Sequence, residues 1–298
     1  MKQKPLVSII MNCFNGEKYL KHAVNSVLAQ SYTNWEIIFW DNQSTDRSAS
    51  IFNNYDDSRL RYFYAPTHTL LYDARNWAIQ ESNGEFLAFL DVDDWWLPEK
   101  LEKQIILFED EEVGLVCSNY QIVNESKNKN WTAFNYPLPT GWVLNQILKK
   151  YYVGLLTLVI RKSAVDKLPY ICNPDYNLIG DFDLVTRLLS KYKLDCVQES
   201  LAFYRIHGSN ESSKNQELHI LEISRWIESS SSNKEISILS NFNCVIEPYI
   251  YSQAIHKLIN HDRKKSYELF AGLSWGVFKI RLFFAMFLPV FVLKKIKN

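Results

Sequence analysis

The chain predicts an α/β fold built on a largely parallel sheet, and three observations carry that expectation. Short apolar runs of strand character alternate with amphipathic helical patterns across short connections. Residues 86–90 (FLAFL) are continuously apolar, the pattern of a strand covered on both faces. Three polar clusters, at 12–15, 41–42 and 91–94, each end such a run. In a parallel sheet that puts them on the edge where ligands bind.

Taken in order, residues 6–13 (LVSIIMNC) read as a buried strand and Asn15-Gly16 as a turn. Residues 17–30 follow as a helix, with Tyr19, Leu20, Ala23, Val24, Val27 and Leu28 at helical spacing. The next strand, 35–40 (WEIIFW), runs straight into Asp41-Asn42-Gln43-Ser44-Thr45-Asp46. Ser44, Thr45 and Asp46 are each N-cap types for a helix through Ile51. A third strand covers 60–64 and a helix 71–81, and Asn83-Gly84 turns the chain into the 86–90 strand. Pro98 suits the first turn of a further helix, with Leu101, Ile105 and Phe108 on one face.

Composition narrows the class. At 298 residues the chain suits one large domain, or a domain with an appendage. Its 47% hydrophobic content is ample for a core, and 14% aromatics offer flat surfaces for bases or sugars as well as core packing. Zero net charge removes any global attraction to nucleic acid. Five cysteines without a close pair indicate neither a zinc site nor a disulfide framework, so a reducing cytosol is expected. The apolar run 6–11 is too short for a secretory signal. Neither GxxxxGK[ST] nor GxGxxG occurs, which argues against a P-loop ATPase or a Rossmann dehydrogenase.

Asp91, Asp93 and Asp94 end a strand expected to be buried, and carboxylates there are costly unless a cation meets them. A divalent metal holding a diphosphate would do so, since Mg²⁺ is commonly held by one or two carboxylates plus phosphate oxygens. An acidic turn capping a helix would give the same pattern.

Val7-Ser8-Ile9-Ile10, Asn15, Tyr19-Leu20, the segment 26–32 (SVLAQSY), Trp35-Glu36, the segment 41–46, Ala74-Arg75-Asn76, Gly84-Glu85-Phe86 and Asp91-Val92-Asp93-Asp94 occur in this order. The series resembles family 2 glycosyltransferases. The match is dense over residues 1–110 and thinner over 111–178. It returns at Gly180-Asp181-Phe182-Asp183-Leu184 and Tyr204-Arg205-Ile206-His207, and is weak beyond Ser213. The resemblance implies a GT-A fold, a Rossmann-like mixed sheet flanked by helices. Here it would form a catalytic domain over 1–212, followed by a helical C-terminal region over 213–298. It also implies a nucleotide-sugar donor, UDP-linked in the first instance, a divalent metal (Mn²⁺ or Mg²⁺) and inversion at the anomeric carbon.

By the same resemblance, Asn12, Phe14, Asn15, Asp41, Asn42, Arg75 and Asp91 are the expected donor-binding residues, with Phe14 against the base. Family members often carry Asp at the position of Asn42. An amide offers both a donor and an acceptor, so uracil or thymine could pair with it. Asp91, Asp93 and His207 are the expected metal ligands, Asp93 foremost, and Asp94 is expected to orient the loop. Arg75 would meet the diphosphate or form a salt bridge on its helix, and Arg205 or His207 would add to the diphosphate site. Gly180-Asp181-Phe182-Asp183 stands where the family commonly reads Glu-Asp-x-Asp, which makes Asp181 the expected catalytic base and Asp183 its support. Both also open a helix, where the dipole favours carboxylates without any catalysis. Trp95, Trp96, Trp131 and Trp142 suit either an acceptor sugar or the core.

Residues 229–233 (SSSSN) separate two helical patterns. Glu222-Ile223-Ser224-Arg225-Trp226 departs at its first residue from the QxxRW signature of processive polysaccharide synthases, and processive synthesis is not expected. Residues 275–293 are nearly all apolar, but the uninterrupted stretch 282–293 contains Pro289 and falls short of the roughly 20 residues a spanning helix needs. With Lys294, Lys295 and Lys297 after it, an interfacial helix on anionic lipid is expected. That would make the protein cytoplasmic and peripheral on the inner face of the membrane, where a cytosolic nucleotide sugar meets a glycan or lipid-linked acceptor. A helix docked on the protein is the alternative. In function, the alternatives are a non-catalytic or hydrolytic protein on the same fold, or a nucleotidyltransferase. A glycosidase would use two carboxylates without nucleotide or metal, and nucleotidyltransferases usually carry a Gly-rich basic loop near the first strand, absent here.

Overall fold

The computed structural model describes residues 4–168, 170–208, 210 and 215–297. The chain divides into two compact units, Met1–Leu144 with Tyr152–Glu211, and Asn145–Tyr151 with Ser212–Asn298.

The first unit is built on one sheet of β1 (Val7–Cys13), β2 (Trp35–Asp41), β3 (Leu60–Tyr64), β4 (Phe86–Phe89), β5 (Trp95–Trp96), β6 (Val113–Asn124), β7 (Lys129–Thr132), β8 (Val159–Arg161) and β9 (Lys193–Ile206). The order is β3-β2-β1-β4-β8-β6-β9-β5, with β7 paired to β6. β1 to β4 are mutually parallel and lie within one residue of the expected ranges. Beyond them the sheet is mixed, because β8 runs antiparallel to both β4 and β6, and β5 antiparallel to β9. The apolar residues of β1 to β4 explain their central place. Val7, Ile9, Met11 and Cys13 pack with Ile37, Phe39, Phe86 and Ala88 under Leu20, Ala23, Val24 and Val27 of helix Leu20–Leu28. Each large aliphatic side chain so buried is worth about 1.5–3 kcal/mol. The helix after Pro98 spans Lys100–Ile105 and tightens into a 3₁₀ turn at Ile106–Glu109.

A buried network fixes where β4 enters. Ser8 Oγ donates to Glu36 Oε1 (2.6 Å) and accepts the Gly84 N–H (2.7 Å). Glu36 also accepts from the Asn83 N–H (2.7 Å) and from Arg61 (2.8 Å). A Cβ on Gly84 would lie 2.6 Å from the Ser8 nitrogen, so only glycine lets the turn pass.

The second unit is helical: Gln216–Ser231, Lys234–Ser237, Asn243–Ile259, Arg263–Gly272, Val277–Ala285 and Val290–Lys297. Asn145 joins it by bonding Ser240 Oγ (3.0 Å) and the Asn241 N–H (2.9 Å). Trp226, in the segment compared with QxxRW, is buried, with its ring 6.1 Å from that of Phe242. The apolar run 275–293 splits into two helices rather than one. Leu282, Ala285 and Leu293 pack on Ala254, Ile255 and Leu258, while Trp275, Phe283, Phe284, Phe287 and Phe291 stay exposed. The run therefore both docks on its own unit and presents an aromatic face. No helix among the described residues is long and apolar enough to cross a membrane. The side chains of Lys294, Lys295 and Lys297 lie outside those described.

Burial opposes the charge on Glu36, but bonds from Ser8, Asn83 and Arg61 outweigh it and hold its carboxyl below the ordinary 4.5. A lowered carboxylate contributes stability above its unfolded value and loses it as pH falls through the folded one. Glu36→Gln should therefore cost about 2 kcal/mol at neutral pH, the scale of hydrogen bonds to a charged group. Urea denaturation should show that deficit shrinking as the pH drops below 4.5.

Candidate active site

β1, β2 and β4 run parallel, so their carboxyl ends share one edge. The loops after β1 and β2 interlock there. Asn15, at φ 55°, donates its backbone N–H to Ser44 Oγ (3.0 Å) and accepts the Thr45 N–H at Oδ1 (2.8 Å). Asparagine tolerates this left-handed conformation better than most side chains. Gly16 N–H meets Ser48 Oγ (3.0 Å), and Glu17 N–H meets Asp46 Oδ2 (2.9 Å). Asp46 Oδ1 also takes the Ser48 N–H (2.9 Å) where helix Ser48–Asn53 starts. The N-cap itself is Arg47, so none of the three expected residues holds that position; Asp46 bonds the first helical N–H from one residue before it, and Ser44 serves the Asn15 loop.

Three expected donor contacts are framework here. Asp41 is wholly buried, with Oδ1 taking the Ser44 N–H (2.7 Å) and Oδ2 the Tyr62 hydroxyl (2.8 Å). The Asn42 amide pairs both ways with the Thr69 backbone (2.8 and 3.2 Å), leaving one N–H and one lone pair for any other partner. Asn15 holds Thr45. Polar groups sealed at a strand end must find internal partners, and these do. Phe14, by contrast, is 53% exposed, its ring 4.4 Å from that of His68. Asn12 is buried in register with Trp40, and neither its amide nor the Trp40 indole N–H has a partner among the described residues.

The acidic run meets its counter-charges one by one. Arg75, only 2% exposed, donates to Asp91 Oδ1 at 2.7 Å. Burial works against its charge, but the Asp91 carboxylate prevails and holds the guanidinium above its ordinary pKa. Asp93 Oδ2 lies 2.9 Å from His207 Nε2. Burial pushes the Asp93 carboxyl up, Asp91 adds to the push, and His207 opposes it. Asp94 is buried, accepts the Arg205 N–H (2.9 Å), and is driven well above the usual carboxylate range by burial and by Asp93. This bond ties the loop after β4 to β9.

Arg205, expected near a diphosphate, is instead stacked between the rings of Tyr19 and Trp95 (4.5 Å each). It donates to the Asp93 carbonyl (2.7 Å) and pairs with Glu125. The expected trio of Asp91, Asp93 and His207 does not gather around one point. Among the described residues, no three His, Cys, Asp or Glu side chains stand as a metal site. Asp91 is taken by Arg75 and His207 by Asp93.

The helix that carries Arg75, Leu71–Gln80, also reaches the other acidic segment. The Tyr72 hydroxyl donates to Asp181 Oδ1 (3.1 Å) and accepts the Asp181 N–H (3.0 Å). Asn76 exchanges two bonds with the Cys172 backbone (2.8 and 2.9 Å), and the Leu71 N–H meets Asn177 Oδ1 (3.3 Å). Tyr72 escaped sequence reasoning because an aromatic on an amphipathic helix reads as core; Asn76 was visible only as part of Ala74-Arg75-Asn76. Asp181 and Asp183 open helix Gly180–Leu189 as expected. Asp183 is buried in an ion pair with Arg187 (2.8 Å), which also binds the Tyr170 and Ile171 carbonyls. Burial raises the Asp183 carboxyl, and Arg187 pulls the other way. Trp96 is core and bonds the Leu156 carbonyl (2.7 Å); Trp95 stacks on Phe203 (4.8 Å); Trp131 and Trp142 are exposed.

Asp183→Asn and Arg187→Met should each lower unfolding stability by about 2 kcal/mol. In the double variant the losses should fail to add, because both single changes remove the ion pair the two residues share. Thermal denaturation of the three proteins reads this directly.

Residues 8–166 match the family described as Glycosyl transferase family 2. Among curated relatives, the UDP-Glc:alpha-D-GlcNAc-diphosphoundecaprenol beta-1,3-glucosyltransferase WfgD of Escherichia coli is 33% identical over 58% of this chain and 68% of its own. WfaP of the same organism and described activity is 30% identical over 86% of this chain and 95% of its own. In structure, Staphylococcus aureus TarS 1–349, solved with UDP-GlcNAc, has a TM-score of 0.59 at 16% identity, covering 88% of each chain. The Pyrobaculum calidifontis mannosyltransferase PcManGT, solved with GDP-Man and Mn²⁺, has a TM-score of 0.63 at 13% identity, covering 99% of this chain and 85% of the other. These two likenesses speak for the GT-A fold alone. With the family matched across most of the first unit and a relative aligned nearly end to end, the chain belongs to the family 2 glycosyltransferases.

Proposed function

We propose that this glycosyltransferase moves a sugar from a UDP-linked donor to a hydroxyl of a lipid-linked diphosphate glycan, with inversion at the anomeric carbon. One observation carries the reading. A single turn of helix Leu71–Gln80 holds Asp181 through Tyr72 and Asp91 through Arg75, so a base and a cation-lined acidic edge are tied to one rigid element. The relatives described as acting on GlcNAc-diphosphoundecaprenol support the acceptor class and the UDP donor.

In this scheme the acceptor oxygen attacks the anomeric carbon from the face opposite the diphosphate. The new glycosidic bond forms as the bond to the diphosphate breaks, and Asp181 takes the acceptor's proton. Phe14 lies against the base, the remaining bonding capacity of Asn42 and the unpartnered amide of Asn12 face donor polar groups, and Arg75 steadies Asp91. Asp183 keeps the helix of the base in register through Arg187. Asp91 and Asp93 offer oxygen donors that fit a hard divalent ion. Mn²⁺ or Mg²⁺ held there with diphosphate oxygens would offset the charge on the leaving group.

The second unit attaches the enzyme to the cytoplasmic face of a bilayer. Phe283 and Phe284 on helix Val277–Ala285, Phe287 after it and Phe291 on helix Val290–Lys297 are exposed and apolar, and Lys279 and Arg281 lie on the first of these helices. Such apolar area suits the headgroup boundary, where a lipid-linked acceptor resides.

Asp181→Asn should retain UDP-glucose affinity and lose transfer to a GlcNAc-diphospholipid by about 10²-fold or more, the scale of a lost general base. Asp93→Ala should instead abolish the dependence of UDP-sugar binding on Mn²⁺. Titration calorimetry and a transfer assay separate the two; unimpaired transfer by Asp181→Asn removes it as the base.

Replacing Phe284, Phe287 and Phe291 with Ser leaves Leu282, Ala285 and Leu293 in place, so the variant should fold yet sediment less with phosphatidylglycerol vesicles. High salt should weaken attachment of the unaltered chain without ending it, since charge is screened and apolar burial is not.

A further inference from the structure

Gly180 and Tyr72 fit each other in a way that neither residue announces alone. A Cβ on Gly180 would lie 2.6 Å from two Tyr72 ring positions and 2.7 Å from a third, closer than real side chains approach. Gly180 stands where family members commonly carry Glu, and the space such a side chain would need is filled by the Tyr72 ring. The ring is buried, its far edge faces the Asp181 backbone and carboxylate, and its one hydroxyl serves both. A phenol that accepts the backbone N–H and donates to Oδ1 of the same residue restricts that side chain's rotation about Cα–Cβ. The ring is in turn held by the guanidinium of Arg75, 4.7 Å from its centroid, and Arg75 is anchored on Asp91.

We infer that Tyr72 is a positioning residue that sets the orientation of the Asp181 carboxylate toward the acceptor, and that Gly180 is required because the ring lies against it. The inference rests on Asp181 being the base. The Tyr72 hydroxyl is spent on the Asp181 backbone and carboxylate, so its effect should fall on turnover and pass entirely through Asp181. Misorientation of a reacting group by a fraction of an ångström to 1 Å costs up to about 10²-fold.

Tyr72→Phe keeps the ring and its packing and removes only the hydroxyl. With UDP-glucose and GlcNAc-diphospholipid, it should lower kcat by about tenfold while leaving both KM values within twofold. In the Asp181→Asn background the same change should have no further effect. Gly180→Ala, which keeps the phenol but displaces its ring, should show the same fall in kcat. Melting curves with UDP establish that each variant is folded at the assay temperature. Wild-type kcat in either Tyr72→Phe or Gly180→Ala, with Asp181→Asn inactive, overturns the positioning role and leaves the base standing. An equal loss from Tyr72→Phe in both backgrounds also overturns it, because the hydroxyl would then act elsewhere. Wild-type transfer by Asp181→Asn removes the base assignment itself, and the inference with it.

Discussion

A guanidinium sealed inside a protein must meet a carboxylate, and Arg75 meets Asp91. The pair explains much of what surrounds it. It draws helix Leu71–Gln80 down onto the carboxyl end of β4, and from that helix Tyr72 and Asn76 reach the chain segment around Cys172 and Asp181. Removing Asp91 would leave the buried guanidinium uncompensated, which typically costs several kcal/mol. The pair is therefore structural as well as electrostatic. It ties helix Leu71–Gln80 to the edge of the parallel strands, and Tyr72 on the same helix carries the link on to Asp181, far along the chain.

The acidic run after β4 shows how three neighbouring carboxylates are tolerated at a buried strand end. Each has a different partner. Asp91 has a guanidinium, Asp93 an imidazole, and Asp94 a backbone N–H from Arg205. The last is the weakest counterpart, and Asp94 is the acid whose charge burial opposes most. Arg205 itself is engaged by two rings, Glu125 and the Asp93 carbonyl, so it stabilises the loop from beneath. Position along four residues thus separates an acid exposed on the edge from one built into the floor.

The second unit follows a different logic. Around helix Asn243–Ile259 it buries small and aliphatic residues such as Ala254, Leu258, Leu282 and Ala285, and leaves the rings of Phe283, Phe284, Phe287 and Phe291 outside. Phe287 is 73% exposed. Aromatic area left in water is unfavourable by the same measure that drives the core together, and an interface with lipid would remove it.

Strand–helix alternation, the buried character of β1 to β4 and the polar clusters at their ends were legible because they are local: apolar runs, turn residues and caps within a few positions of one another. The same holds for the family motifs, from Asp41-Asn42 to Asp91-Val92-Asp93-Asp94. What the sequence alone determined is therefore the parallel half of the sheet, the edge on which its polar clusters gather, and the acids on it. Tertiary structure decided which of those side chains face outward. Asp41 and Asn42 look like donor contacts in one dimension, yet Tyr62 and Thr69 take up their bonds. His207 bonds Asp93, and the mixed half of the sheet arises from segments without a clear periodic signal. The Tyr72–Gly180 contact is the clearest case. A ring and a missing side chain 108 positions apart constrain each other only once the fold brings them together, because steric exclusion acts through space and leaves no trace in spacing along the chain.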